Sequence, residues 1–126
     1  MDTSVWVDYL RGRDPHVKIA LDRLLDEDGV AVAAPVRVEL LGGARKDQQP
    51  TLRRVLGAVP TFRPTDATWD RMESWALQAT AKGHRFGVGD LLIAAIAADQ
   101  DAPVWSLDSD FGAMAKLGFI RAYRPG

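Results

Sequence analysis

The chain has 126 residues, of which 47% are hydrophobic and 26% charged, with a formal net charge of −1. That length suits one domain, residues 1–126, with a hydrophobic core of its own. The absence of cysteine excludes disulfides, thiolate metal sites and a cysteine nucleophile. The near-neutral charge makes no overall electrostatic case for nucleic-acid binding, so any such case rests on local patches.

In chain order, the opening MDTSVWVDYLRG has neither a basic leader nor a long apolar run, so no signal peptide is expected. No stretch has the length of a membrane span, and a cytoplasmic protein is the expectation. Thr3 or Ser4 caps a first helix running to about Leu10. A second, amphipathic helix covers 15–25, with Val17, Leu21, Leu24 and Leu25 on one side. After the Asp28–Gly29 turn, residues 30–33 are short and apolar enough for a buried strand. Pro35 suits the first position of a third helix carrying VRVELLGGA.

A fourth helix is expected from near Pro50 to Gly57, then an edge strand over 59–62, where Pro60 is tolerated. Thr65 or Asp66 caps a long helix to about Lys82, with Trp69, Met72, Trp75 and Ala76 as its apolar side. Gly87 and Gly89 precede the very apolar helix DLLIAAIAA. Residues 103–107 read as a buried strand, DSDF as a strand-to-helix turn and 119–121 as a last strand. Apolar strands alternating with helices imply an α/β fold, a mostly parallel sheet covered by helices on both faces. Sites in such sheets lie beyond the C-terminal ends of the strands.

Acidic residues fall there. Asp2 precedes the first helix, Asp108 and Asp110 follow VWSL, and Glu39 and Asp90 lie on helices after loops. Each has an ordinary structural reading, a helix cap for Asp90, Asp108 or Asp110 and surface charge for Glu39. Against this, Glu39 has Pro35, Val36, Gly42 and Gly43 at helical spacing, and Asp90 has Ile93 and Ala94, so neither has a basic partner there. Apolar surroundings are therefore expected for both, where an unpaired carboxylate is costly. Two charges about 5 Å apart repel by about 3 kcal/mol at an effective dielectric of about 20. A cluster of acids thus calls for raised pKa values, basic partners or a hard divalent cation, and oxygen ligands suit magnesium or manganese. Such ions activate water in phosphodiester hydrolysis.

Taken in order, DTSVWVDYLRG, VELLGG, GDLLIAAIA and SLDSDF resemble the successive motifs of VapC-type PIN domains over essentially the whole chain. The resemblance implies a three-layer α/β fold with about five short strands. By motif, Asp2, Glu39, Asp90 and Asp108 match the family's metal-binding and catalytic acids, and Asp110 an additional acid. Thr3 and Ser4 match supporting hydroxyls, a role compatible with helix capping. The implied activity is Mg2+- or Mn2+-dependent cleavage of RNA by a metal-activated water, leaving a 5′-phosphate and a 3′-hydroxyl. The implied partners are a second copy of the chain and a VapB-like antitoxin that covers the acids, the chain being the toxin of the pair.

Arg11, Arg13, Arg45, Lys46, Lys82 and Arg85 lie near the acid-bearing segments, as RNA phosphate contacts or as solvated surface. His16 and His84 read as surface residues, although His84 near Asp90 also admits a metal role. The four tryptophans read as core, Trp6 also as a dimer face. Two other functions compete with this one. A haloacid-dehalogenase-like phosphatase needs a second Asp two residues after the first, where Ser4 stands. A non-catalytic PIN-fold binding module would have no reason to keep mutually repelling acids. VapC-type chains usually carry apolar residues before the first Asp, whereas only Met1 precedes Asp2. The expectation is a truncated first strand or a natural start further upstream.

Overall fold

The computed structural model describes residues 30–106 and 108–123. Asp2, Thr3, Ser4, Trp6, Arg11, Arg13 and His16, with the expected first strand and first two helices, lie outside the described residues.

Strand β1 (Val32–Ala33) leads directly into helix α1 (Ala34–Gly43), and helix α2 (Gln49–Gly57) returns the chain to strand β2 (Thr61–Phe62). Helices α3 (Asp66–Ala81), α4 (Val88–Asp99) and α5 (Ser109–Lys116) follow. β1 and β2 pair in parallel, Val32 opposite Thr61 and Ala33 opposite Phe62. The Val32 amide also donates to the Pro60 carbonyl at 2.9 Å. Pro60 thus enters the pairing as an acceptor, the one backbone group that proline retains. A single parallel bridge joins Val104 to Ala122. Among the described residues the expected strands at 30–33 and 59–62 are accordingly shorter, that at 103–107 is reduced to the Val104 bridge, and none forms over 119–121, the bridge falling on Ala122 instead. Hydrophobicity marks a buried run, but ladder bonds alone define the strand within it.

Helix starts follow the sequence closely. Pro35 stands in the first turn of α1, where its lack of an amide proton is harmless. Arg37 on α1 donates to the Leu56 carbonyl at 3.0 Å, meeting an acceptor at the end of α2. α4 is apolar all round and buries Leu91, Ile93, Ala94, Ala95, Ile96 and Ala97, as a helix surrounded by protein must. It packs chiefly against α3.

The buried stripe of α3 is Thr68, Met72, Trp75 and Ala79, spaced 4, 3 and 4 residues apart. Trp69, expected in that stripe, is instead 46% exposed, and Ala76 is half-buried. The reason is polar. The fully buried Thr68 hydroxyl donates to the Asp99 carboxylate at the end of α4 and accepts from the Thr65 amide at 2.9 Å. Arg71 donates to the other Asp99 oxygen at 2.9 Å. Valine keeps the shape of Thr68 but leaves the Thr65 amide and an Asp99 oxygen short of a partner. We expect Thr68→Val to cost about 1–3 kcal/mol, and Thr68→Ser, which keeps the hydroxyl, to cost less. Chemical denaturation of the two variants checks the difference.

Trp75 stacks on Phe119 with ring centroids 4.6 Å apart, closing the core against the segment after α5. Trp105 is buried and lies tilted against Tyr123 at 5.5 Å, as a core reading of that tryptophan requires. Among the described residues no helix is long and apolar enough to cross a membrane.

Candidate metal centre

The acids of the later motifs come together at the N-terminal ends of two helices. One carboxylate oxygen from each of Asp90, Asp108 and Asp110 lies within 4.8 Å of the others. Asp90 is the third residue of α4, since Gly87 and not Asp90 occupies the cap. Asp108 is the cap of α5, and its side chain accepts from the Asp110 amide at 2.9 Å. Asp110 lies in the first turn of that helix.

Local folding explains the convergence. Residues 104–106 are tethered on one side, the Val104 amide donating to the Arg121 carbonyl at 2.9 Å and the Tyr123 amide to the Val104 carbonyl at 2.8 Å. The chain then turns, and the Asp108 amide donates to the Ser106 hydroxyl at 2.9 Å. Ser106 thereby fixes the residue that fixes α5. It was not among the residues singled out from sequence, although a serine two residues before an aspartate is a common turn signal.

At about 4.8 Å, two carboxylates repel by about 1 kcal/mol at the dielectric of water and by about 3 kcal/mol at an effective dielectric of 20. Asp108 is exposed and Asp90 half-buried, which places the repulsion toward the lower figure. The N-terminal dipoles of α4 and α5 return about 0.3–1 kcal/mol for each acid in their first turns. The dipoles therefore offset only part of the repulsion.

The donor set fits a hard divalent cation. All three groups offer oxygen, the donor that such cations prefer. One oxygen of each already lies within 4.8 Å of the others. Capping uses one oxygen of Asp108, and a carboxylate has about four acceptor sites in all, so the cap and a cation are compatible.

Asp108 thus serves two purposes that substitution separates. Asn caps a helix as well as Asp does, whereas Ala gives up about 1 kcal/mol. Asp108→Ala is expected to lower the denaturation midpoint and Asp108→Asn to leave it nearly unchanged. Both should weaken Mn2+ binding, measured calorimetrically on the same preparations.

Glu39 does not share this arrangement. It stands on α1, which packs against α4, but it is exposed, and the apolar surroundings expected of it are not found. α1 simply turns that position outward while Val36 and Leu40 face the core. For Asp90 the half-buried position agrees with its apolar helix. Among the expected basic contacts, Arg45 is paired with Asp47 at 3.6 Å, both highly exposed. Lys46, Lys82 and Arg85 are exposed. His84 stacks on Phe86 and takes no part in the carboxylate group.

A family model described as PIN domain matches residues 1–117. The chain belongs to the PIN-domain family and is of its VapC type. It is 30% identical to VapC ribonuclease Mb1587 of Mycobacterium bovis and to ribonuclease VapC11 of Mycobacterium tuberculosis, over 97% of this chain and 95% of each relative. It is also 30% identical to ribonuclease VapC5 of Mycobacterium tuberculosis, over 98% of this chain and 93% of that protein. Its fold matches a chain of VapBC-1 from nontypeable Haemophilus influenzae with a TM-score of 0.75 at 17% identity, covering 97% of this chain and 93% of the other. The expected α/β PIN fold is thereby found.

Proposed function

We propose that this protein, as one domain over residues 1–126, is an Mg2+- or Mn2+-dependent endoribonuclease, the toxin of a toxin–antitoxin pair. The observation that carries the reading is the convergence of Asp90, Asp108 and Asp110 in a chain whose relatives are VapC ribonucleases. With them we assign Asp2 and Glu39 to the same cation by their motifs, and Thr3 and Ser4 to its support. When bound, the cation supplies charge for the phosphodiester and lowers the pKa of an attacking water.

The chain's own groups do the rest. Asp108 is held toward the site by its cap bond and by Ser106, and Asp90 by a helix packed on nearly every side. Such rigidity places the carboxylates before substrate arrives. Arg11, Arg45, Lys46, Lys82 and Arg85 are the cations available to phosphates around a centre that is itself negative.

A VapB-like antitoxin is the proposed inhibitor, a basic group of which would satisfy the charge deficit of the acids as the cation does. A homodimer in the cytoplasm is the proposed working form. The experiment is to give the purified protein a circular RNA with Mg2+ or Mn2+, alongside a simple phosphate monoester. Opening of the circle without monoester hydrolysis supports an endoribonuclease. Monoester hydrolysis alone would restore the phosphatase reading.

A further inference from the structure

Helices α3 and α5 end in the same way, yet their ends present different rings to different surroundings. At the end of α5, Gly118 has φ +84°, and the Phe119 amide donates back to the Met114 carbonyl at 3.0 Å. At the end of α3, Gly83 has φ +82°, and the His84 amide donates back to the Ala79 carbonyl at 2.8 Å. Both are Schellman turns, in which the residue after the glycine is held by the helix and usually packs on it. Phe119 is buried on the neighbouring helix, stacked against Trp75 of α3. His84 differs. It is exposed, and its ring lies nearly parallel to the half-buried Phe86, 8° between planes and 5.6 Å between centroids.

The segment 82–87 therefore offers a ring whose backbone is held by a helix-terminal hydrogen bond and whose face is held by a stack. Lys82 and Arg85 flank it and are exposed, and no acidic residue occurs between Lys82 and Gly89. The segment runs straight into α4, so His84 stands six residues before Asp90 and at most about 21 Å from it. That is a span of a few nucleotides.

We propose that His84, backed by Phe86 and flanked by Lys82 and Arg85, is a stacking platform for a base of single-stranded RNA beside the cleavage centre. The inference rests on the ribonuclease reading and adds to it the residues that would grip an unpaired strand. Aromatic faces accept any base, and unpaired bases alone are free to stack on them. Pre-fixing the ring removes the ordering cost that a mobile side chain would incur on binding.

The test is equilibrium binding of a short fluorescein-labelled single-stranded RNA of mixed sequence, in chelator so that binding is read apart from cleavage. His84→Ala should weaken binding about tenfold, the ordinary effect of losing one base stack. His84→Phe should restore most of it. The double variant Lys82→Ala, Arg85→Ala should lower the slope of log Kd against log salt by about 1.4, roughly 0.7 for each phosphate contact to a single strand. Duplex RNA should be insensitive to His84→Ala. Unchanged single-strand binding by His84→Ala, or equal loss in His84→Phe, would overturn the platform while leaving the cleavage reading intact. Absence of RNA binding by the unaltered protein would overturn the platform, and absence of cleavage with metal restored would then show that the ribonuclease reading had failed too.

Discussion

Asp90→Asn is expected to reduce RNA cleavage at least about a hundredfold without unfolding the protein. The asparagine side chain has the size of the aspartate, so the first turn of α4 is undisturbed. It removes one negative charge from a group whose oxygens stand within 4.8 Å of one another. Even groups that merely orient a metal ligand are worth about 10–100-fold in affinity or activity, so a ligand itself should be worth more. Stability in chelator should move the other way. Relief of the repulsion estimated above predicts a melting temperature that stays level or rises. A folded Asp90→Asn protein with near-normal turnover would remove this residue from the centre. A collapse of stability in chelator would show that Asp90 is held by something other than a cation.

Ile96→Ala is expected to cost about 2–5 kcal/mol, the usual range for truncating a fully buried isoleucine. Ile96 is 1% exposed, on a helix whose remaining core positions are mostly alanine. Small neighbours have no long side chains with which to refill the space, which favours the upper half of the range. A domain of this size is commonly stable by about 5–15 kcal/mol, so the change removes a large share. A fall in melting temperature of roughly 10–25 °C is expected, with metal affinity well below the transition retained. A loss under 1 kcal/mol would mean that α4 is less tightly enclosed than its burial indicates.

What was legible in the sequence follows from how each signal arises. Helices α1 to α5 announce themselves by periodicity and by their stops, Pro35 and Pro50 at starts and Gly83 and Gly118 just past ends. The acids Asp90, Asp108 and Asp110 were legible because loops before apolar helices are where carboxylates gather in α/β folds. Strand extent was less so, because β1 and β2 are two residues each and depend on partners that local sequence does not show. Two positions of the α3 stripe differ from the apolar reading, Thr68 and Ala79 being buried where Trp69 and Ala76 are expected, the first because hydrophobicity ranks tryptophan inside and threonine outside. Only the Asp99 carboxylate 31 residues away makes the opposite choice favourable. Ser106 and the His84–Phe86 stack escaped for a similar reason, since each gains meaning from a neighbour's position.

The most direct measurement is the chemistry of the ends produced when the purified protein cleaves RNA with Mg2+ or Mn2+. The cleavage should vanish in chelator, return with either ion, and leave 5′-phosphate and 3′-hydroxyl termini at internal sites. That outcome is what a carboxylate-held cation and an attacking water require. Cleavage that persists in chelator, or that leaves 2′,3′-cyclic phosphate ends, would contradict it, since the ribose hydroxyl would then be the nucleophile and the acids at Asp90, Asp108 and Asp110 would need another purpose.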